Sequence, residues 1–354
     1  MKDYIKIIAF TGIILITLAS LSAIFNGRFW YTTGYVADRD ARYAAFDLEE
    51  PGQIDVLNIG SSLCDVSITP LELYRDYGIT CYNMGRDMQT RAEAYYAVKT
   101  ALRKNKIKVL LWETDNLCRL LDKDQDEYTP YREELAEFYR YHFPILRYHS
   151  FWKYWLNGTK HSEYFKGYLV RKEIEKPLLE DILDEEDTEE GQNQDNGSSH
   201  ESQNGNENDI SFIHAKRLRA KVALKDQLKF KRYQMHAFKE IYNLCRANGI
   251  KLVLYSTPSL RFYPTRRRHD AVAELARKYG IDYLDGNFDE YKIGIDWNRD
   301  SFDEGGHLNL YGTRKMTKYL AEYLINSCNL PDHRGDPAYS NWTDMERYEE
   351  VCGE

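Results

Sequence analysis

Short apolar segments alternate with amphipathic segments along most of this chain. The apolar segments that predict strands lie at residues 54–59, 81–84, 108–112, 251–256 and 282–285. Apolar residues with helical spacing lie between and after them, at residues 69–78, 91–104, 222–247, 266–279 and 311–326. Strands that alternate with helices pair in parallel through right-handed crossovers. We therefore predict an α/β fold, a three-layer α/β/α sandwich around a mostly parallel five-stranded sheet.

An uncharged apolar segment precedes the first predicted strand. Residues 7–25 form a run of nineteen residues without a charge, which as a helix would span roughly 28 Å, close to the thickness of a bilayer's hydrocarbon core. Lys2 and Lys6 precede it, so the positive-inside rule keeps the N-terminus in the cytoplasm and sends the rest of the chain outside. We interpret residues 5–26 as a transmembrane signal anchor. A signal peptide cleaved near residues 20–22 (Ser-Leu-Ser) is the alternative.

The alternation of strands and helices divides the rest of the chain. We predict a juxtamembrane segment over residues 27–53, an α/β domain over 54–330 and a C-terminal tail over 331–354. An insertion over residues 117–221 interrupts the domain. Within it, residues 180–209 are too polar and acidic to bury a core, which predicts a disordered loop. The loop lacks the regular spacing of a calcium-binding loop, so a solvated tether is the favoured interpretation.

Charge and cysteine usage narrow the possible ligands. The formal net charge is −8, but residues 173–209 hold fourteen acidic residues against one lysine, so the acidity belongs to that segment. The rest of the chain lacks a broad basic face with interleaved aromatic residues, and we predict no nucleic-acid partner. The six cysteines show no paired spacing of a zinc site. We therefore predict neither a metal nor a cofactor, while free thiols and disulfides both stay open.

A Gly-Ser-Ser turn ends the first predicted strand. It places a hydroxyl, that of Ser62, at the carboxyl end of the strand, where open α/β sheets bind their ligands. A serine hydroxyl needs an imidazole to take its proton before it can act as a nucleophile. His307 lies in a glycine-rich loop before the last helix, and Asp303 and Glu304 precede it closely enough to orient the ring. An ordinary turn and a helix-capping histidine are the alternatives.

These blocks resemble those of the SGNH (GDSL-type) hydrolases. Residues 60–63 (Gly-Ser-Ser-Leu) resemble the first block of that family, whose serine is the nucleophile, and residues 303–307 (Asp-Glu-Gly-Gly-His) resemble its last block. The wider pattern resembles the membrane-anchored, exported SGNH proteins of Gram-positive bacteria over about residues 54–115 and 222–326. It consists of the Gly-Ser-Ser turn, Tyr82-Asn-Met-Gly85, Trp112-Glu-Thr-Asp115, the Tyr-His-Ser-Phe-Trp segment 148–152, and His307-Leu-Asn-x-x-Gly312.

The resemblance implies a flavodoxin-like SGNH fold and a serine hydrolase or acyltransferase that acts on ester bonds. By this resemblance Ser62 is the nucleophile, and His307 is first the base and then the acid. The orienting carboxylate would be Asp303, which has the family's residue type. Glu304, which has the family's usual spacing of three residues before the histidine, is the alternative.

The oxyanion donors depart from the family's pattern. Asp115 stands where the family has an asparagine, and a carboxylate would repel a developing oxyanion unless it were protonated or turned away. The expected donors are therefore Asn116, or backbone N–H groups after Ser62 and near Gly85. A weak or inactive member of the family is the third possibility.

The sequence thus predicts a single-pass protein of the cell membrane with its α/β domain outside the cytoplasm. The expected function is a serine esterase or O-acyltransferase that acts on acyl groups of cell-envelope glycans. The resemblance further implies a membrane-bound O-acyltransferase as partner. The alternative is a non-catalytic accessory or binding protein of the same fold that docks on such an enzyme. The sequence does not choose between hydrolysis and transfer.

Overall fold

The computed structural model describes residues 2–25, 46, 49–86, 89–118, 229–260 and 266–343. Most of the predicted juxtamembrane segment 27–53 lies outside the described residues. So does nearly all of the predicted insertion 117–221, with its acidic loop at 180–209 and the Tyr-His-Ser-Phe-Trp segment at 148–152.

A five-stranded sheet forms the centre of the domain, and every pair of neighbouring strands is parallel. The strands are β1 (Val56–Ile59), β2 (Cys81–Asn83), β3 (Val109–Glu113), β4 (Lys251–Ser256) and β5 (Asp282–Asp285). Their order in the sheet is β2-β1-β3-β4-β5. This is the flavodoxin-like, doubly wound order, in which the chain reverses direction across the sheet between β1 and β3. The predicted α/β fold with a parallel five-stranded sheet is confirmed.

Helices connect and cover these strands. Those of the described residues are α1 (Lys2–Phe25), α2 (Ser62–Asp65), α3 (Pro70–Tyr77), α4 (Arg91–Ala101), α5 (Asp115–Cys118), α6 (Arg232–Ala247), α7 (Arg266–Tyr279), α8 (Glu290–Ile293) and α9 (Leu310–Cys328). A small antiparallel pair, β6 (Ser301–Phe302) and β7 (His307–Leu308), precedes α9. The short helices α2, α5 and α8 are absent from the sequence-based prediction, because four residues are too few to show a helical period.

The sheet is buried on both faces, as its continuous apolar strands require. Alternate residues of β3 point to opposite sides, so that Leu110 and Trp112 pack on one face and Val109 and Leu111 on the other. The face of Trp112 is covered by α4, α6 and α7, whose buried residues include Val98, Phe238 and Val272. The opposite face is covered by α3 and α9, whose buried residues include Leu73, Met316 and Leu320. These three layers place the ends of all five strands at two shared edges.

Local signals set the ends of the covering helices. Thr90 accepts a hydrogen bond from the backbone N–H of Glu93 (3.2 Å), and the Glu93 carboxylate accepts one from the backbone N–H of Thr90 (3.4 Å), which is a capping box for α4. Helix α3 has Pro70 in its first turn and ends at Gly78, whose φ of +72° suits glycine.

Helix α1 is long and apolar enough to cross a membrane over Asp3–Leu21, and a signal sequence would have the same properties. Its apolar side chains are not buried against the domain; Ile8, for example, is 71% exposed.

The described part of the predicted tail, residues 331–343, packs at the edge where the strands begin. We call these residues the C-terminal segment. Its Trp342 is buried against Tyr74, with ring centroids 5.5 Å apart. The Trp342 indole N–H also donates to the side-chain oxygen of Gln53 (3.1 Å), just before β1. This segment therefore closes the edge of the sheet opposite to the one where Ser62 lies.

Candidate active site

The turn after β1 has room for glycine alone at its first position. Gly60 has a φ of +151°, and a Cβ atom there would lie 2.7 Å from the Cβ atoms of both Cys64 and Glu113. The backbone at Gly60 therefore packs directly against α2 and the end of β3. Helix α2 begins two residues later at Ser62, whose side chain is partly exposed.

Two buried amide side chains hold this turn in place. Gln89 accepts from the backbone N–H of Gly60 (2.9 Å) and donates to the carbonyl of Met84 (2.7 Å). Asn83, at the end of β2, donates to the carbonyl of Cys64 (3.2 Å), inside α2. Asn83 belongs to the block Tyr82-Asn-Met-Gly85 that carries the resemblance, but no role was predicted for it, and none was predicted for Gln89. The available signal for a role of Asn83 was its position, since it is a polar residue at the end of an apolar strand.

A buried tyrosine, Tyr255, is linked to α2 by hydrogen bonds through Ser67. The Tyr255 hydroxyl donates to the Asn58 side-chain oxygen (2.8 Å) and lies 2.7 Å from Ser67 Oγ, which donates to the Cys64 carbonyl (2.7 Å). Burial is the main reason that the pKa of Tyr255 lies well above its ordinary value. The group therefore stays a neutral hydroxyl, which it must be in order to donate to Asn58.

The loop before α9 presents His307 to the same edge of the sheet. Residues Ser301–Phe302 and His307–Leu308 pair as β6 and β7, and the rings of Phe302 and His307 stack with their centroids 5.4 Å apart. Asp303 opens the connecting turn with a φ of +48°, which is unusual outside glycine but tolerated by Asp. This conformation turns its carboxylate back over Gly306, where a Cβ atom would lie 2.7 Å from a carboxylate oxygen.

A continuous chain of hydrogen bonds joins the carboxylate, the imidazole and the serine. Asp303 Oδ2 lies 2.7 Å from His307 Nδ1, and Asp303 Oδ1 accepts from the backbone N–H of His307 (2.8 Å). His307 Nε2 lies 2.9 Å from Ser62 Oγ. A carboxylate can only accept, so Nδ1 carries the proton in the neutral ring, and Nε2 is left to accept the Ser62 hydroxyl. The geometry is that of a serine nucleophile with its base and orienting acid.

The structure brings together three of the four residues predicted to be catalytic. Asp303 is the carboxylate in contact with His307. Glu304 follows it in the same 3-10 turn, and its side chain is not among the described groups. A carboxylate four residues before the histidine reaches Nδ1 here because the positive φ of Asp303 folds its side chain inward.

Asp115 lies beside this chain of hydrogen bonds but is bonded to a different serine. Its Oδ2 accepts from Ser61 Oγ at 2.7 Å, and its backbone N–H donates to Glu113 Oε2 at 2.9 Å. Ser61 is fully buried, whereas Ser62 is partly exposed. The adjacent serines therefore have separate partners, and the Asp115 carboxylate is directed to Ser61.

The two remaining predicted oxyanion donors differ in their availability. The backbone N–H of Gly85 donates to Asn83 Oδ1 (2.9 Å), and it would have to leave this acceptor to reach an oxyanion. Asn116 is buried, and its Oδ1 accepts from the Trp112 indole N–H (2.8 Å). Its Nδ2 has no hydrogen-bond partner in the structure as described. An unsatisfied buried donor is rare in native proteins, which makes Asn116 the better candidate of the two.

The described cysteines are free thiols, and four of them are buried: Cys64, Cys81, Cys118 and Cys245. Burial raises the pKa of Cys245 to about 12 and that of Cys81 further, so neither forms a thiolate at neutral pH. Among residues 2–25, 49–86, 89–118, 229–260 and 266–343, no cluster of His, Cys, Asp and Glu is arranged to hold a metal ion.

Comparison with known proteins adds little to this geometry. No protein-family model matches the chain, and no curated protein matches it. Among solved structures, the chain is similar to one from Bacteroides fragilis described as a "putative acylhydrolase", with 11% identity over 84% of this chain and 100% of the other. The TM-score of 0.38 is too low to transfer either a fold or an activity from that protein.

Proposed function

We propose that this chain is a serine esterase or O-acyltransferase of SGNH type. The observation that carries the proposal is the chain of hydrogen bonds from Asp303 through His307 to Ser62, with heavy-atom distances of 2.7 Å and 2.9 Å. The three groups come from two loops, and Ser62 and His307 are separated by 245 residues in sequence. They meet at the edge of the sheet where α/β enzymes bind their substrates.

The reaction that these groups support begins with attack of Ser62 Oγ on an ester carbonyl carbon. The hydroxyl proton passes to His307 Nε2, and Asp303 stabilises the resulting imidazolium through Nδ1. The tetrahedral intermediate then expels the alcohol, which takes the proton from Nε2, and an acyl-enzyme ester remains on Ser62. A water molecule or a second hydroxyl attacks this ester and gives its proton to His307 Nε2; the bond from the acyl carbon to Ser62 Oγ then breaks, and Ser62 takes the proton back from Nε2. Attack by water gives hydrolysis, and attack by a second hydroxyl gives transfer.

The oxyanion of the tetrahedral intermediate requires hydrogen-bond donors. We assign Asn116 Nδ2 to this role together with backbone N–H groups at the start of α2, because Nδ2 is buried and without a partner in the described structure.

The proposed location rests on helix α1, and the proposed substrate and partner rest on the resemblance to exported SGNH proteins. We propose that α1 anchors the chain in the cell membrane, with Lys2 and Lys6 on the cytoplasmic side and the α/β domain outside. An extracytoplasmic esterase held at the membrane has acyl groups of cell-envelope glycans within reach. A membrane-bound O-acyltransferase that delivers acyl groups across the bilayer is the proposed partner.

Labelling with a fluorophosphonate probe tests the proposed chemistry. The full-length protein in detergent is incubated with the probe, and the modified residue is located by mass spectrometry. We expect modification at Ser62 that is lost in Ser62→Ala and strongly slowed in His307→Gln. Ser340→Ala is the control, since Ser340 is exposed and lies in the C-terminal segment at the opposite edge of the sheet, and its replacement should leave Ser62 reactive. Labelling of the wild type that persists in Ser62→Ala would contradict the proposal.

A non-catalytic accessory protein is the second candidate, and the position of Asp115 favours it. A carboxylate 2.7 Å from the hydroxyl next to Ser62 places negative charge beside a site that must stabilise an oxyanion. In this alternative the cleft binds an acylated glycan or carrier without cleaving it. Binding of such a ligand by a wild-type protein that neither labels with the probe nor turns over esters would favour the accessory role.

A further inference from the structure

The segment that follows β4, residues 257–260, is hydrogen-bonded to both loops that carry the proposed catalytic groups. We call it the β4 loop. Thr257 Oγ1 donates to the backbone carbonyl of Leu63 (3.0 Å), the residue directly after Ser62. Leu63 is fully buried inside α2, so this bond fixes the backbone on which the nucleophile stands.

The same β4 loop also holds the backbone directly before His307. Ser259 Oγ donates to the carbonyl of Gly306 (2.9 Å), and the backbone N–H of Leu260 donates to the carbonyl of Gly305 (2.8 Å). Gly305 has a φ of +75°, and a Cβ atom there would overlap the Leu260 side chain, so the two loops approach closely. The β4 loop therefore spans the gap between the serine turn and the histidine loop.

A buried asparagine in turn fixes the β4 loop. Asn287, which lies just after β5, donates through Nδ2 to the carbonyl of Thr257 (3.0 Å) and accepts through Oδ1 from the backbone N–H of Ser259 (3.0 Å). Thr257 and Ser259 are each 0% exposed, and Asn287 is 1% exposed. Bonds between buried neutral groups do not titrate and are not screened by salt. The hydrogen bonds of the bridge therefore do not depend on pH while the protein is folded.

We propose that Thr257 and Ser259 are positioning residues that set the separation between Ser62 Oγ and His307 Nε2. This inference rests on the proposed function, because the separation matters for turnover only if the two groups react. Ser62 and His307 belong to different loops, and each loop is bonded to the β4 loop within one residue of the reacting side chain. A displacement of about 1 Å between a nucleophile and its base can lower the rate on the order of 100-fold.

The kinetic test compares variants that remove or keep one hydroxyl. With the full-length protein in detergent and 4-nitrophenyl acetate as substrate, we expect Thr257→Val to lower kcat on the order of 10- to 100-fold with KM nearly unchanged. Thr257→Ser keeps the hydroxyl and should keep most of kcat. Ser259→Ala is a second, independent variant, which decides the question if Thr257→Val does not fold.

The matched control is Thr80→Val, which removes another fully buried threonine hydroxyl. Thr80 Oγ1 accepts from the backbone N–H of Asp55 (3.2 Å) at the opposite edge of the sheet. We expect Thr80→Val to leave kcat unchanged. The proposal is overturned if Thr257→Val and Ser259→Ala both keep wild-type kcat, or if Thr80→Val lowers kcat as much as they do.

Crystal structures test the positioning role independently of the proposed function. In crystal structures of the wild type and of Thr257→Val, we expect the Ser62 Oγ to His307 Nε2 separation to lengthen beyond hydrogen-bond reach in the variant. An unchanged separation would refute the positioning role whether or not the protein hydrolyses esters. A wild type without Ser62-dependent turnover would refute the proposed function, while the two crystal structures would still decide the role of the β4 loop.

Discussion

Of the imidazole–carboxylate pairs among the described residues, those of His307 and His333 lie at opposite edges of the parallel sheet and differ in what the imidazole contacts next. At the carboxyl edge, His307 bonds to Asp303 through Nδ1 (2.7 Å) and to Ser62 through Nε2 (2.9 Å). At the amino edge, His333 Nε2 lies 2.8 Å from Asp55 Oδ2, and the ring of His333 stacks on Tyr339 with centroids 3.9 Å apart. A histidine beside a carboxylate is therefore not enough to define a catalytic site.

The surroundings of the two carboxylates explain the difference. Asp55 also pairs with Lys108 Nζ (3.0 Å), so its charge is shared with a lysine as well as with His333. Asp303 instead gives both of its oxygens to His307, one to the ring and one to the backbone N–H. The first pair fastens the C-terminal segment to the domain. The second fixes one ring so that its other nitrogen faces a hydroxyl.

The largest expected effect comes from removing that hydroxyl. We expect Ser62→Ala to lower ester turnover on the order of 10⁴-fold or more, because the acyl-enzyme cannot form. The thermal unfolding midpoint should change little, since the side chain is partly exposed. Turnover of 4-nitrophenyl esters by the full-length protein measures the effect. Activity that survives in this variant would place the reaction elsewhere in the protein.

The next effect compares the two carboxylates directly. We expect Asp303→Asn to lower kcat on the order of 10³- to 10⁴-fold, because an amide in this position no longer holds the His307 tautomer that leaves Nε2 as a base. Asp55→Asn, the matched change at the other edge, should lower stability and leave kcat intact. Steady-state kinetics of both variants measure the contrast. Equal losses of kcat in the two variants would contradict the assignment of a catalytic role to Asp303 and a structural role to Asp55.

A third comparison concerns glycines on either side of β1. Gly60→Ala places a Cβ atom against Cys64 and Glu113 in a backbone conformation that alanine rarely adopts, and we expect a loss of about 3 kcal/mol in the free energy of unfolding. Gly52 also has a positive φ, of +84°, but a Cβ atom there meets nothing within 4 Å. Gly52→Ala should therefore cost only about 1 kcal/mol. Urea unfolding of the two variants would show whether the crowding at Gly60 matters.

A smaller effect should follow from breaking the pair at the amino edge. We expect His333→Ala to lower the free energy of unfolding by about 1 to 2 kcal/mol, because it removes the bond to Asp55 and the stacking on Tyr339. Ester turnover of this variant should match that of the wild type below the unfolding temperature. A fall in kcat without a fall in stability would show that the two edges are coupled.

The smallest effect depends on pH and concerns Asp332 in the C-terminal segment. Hydrogen bonds from Arg334 lower the pKa of Asp332 from 3.8 to about 2. A folded-state pKa below the unfolded value means that the ion pair adds stability above about pH 3.8 and that this is lost as the pH falls towards 2. We expect Asp332→Asn to reduce the slope of stability against pH in this window. Both side chains are about half exposed, so the change should be slight and salt-sensitive.

The positions of the five strands along the chain and the two loops with Ser62 and His307 were accessible from sequence because each depends on local signals. Apolar periodicity marks the strands, and a glycine-rich loop before a helix marks the histidine. The choice between Asp303 and Glu304 was not accessible in the same way. It depends on the φ of +48° at Asp303, which is set by the tight β6–β7 turn and by the absence of a side chain at Gly306.

The supporting residues were missed for a different reason. Gln89, Asn83 and Thr257 act through hydrogen bonds to backbone groups that lie 29, 19 and 194 residues away in sequence. Neither the residue type nor its spacing reveals such a partner. The bond between Ser61 and Asp115 also depends on how two strand ends meet in space, so the sequence left open whether that carboxylate opposes the reaction.

The contacts of Gln53 have a mechanical consequence. Gln53 lies just before β1, on the chain that arrives from α1, and its side chain bonds to Ala338, Asn341 and Trp342 of the C-terminal segment. Tension on the chain before residue 53 therefore loads these three bonds before it loads the hydrogen bonds that join β1 to β2 and β3. The turn with Ser62 lies at the far end of β1, so the C-terminal segment shields it from force applied at the amino edge.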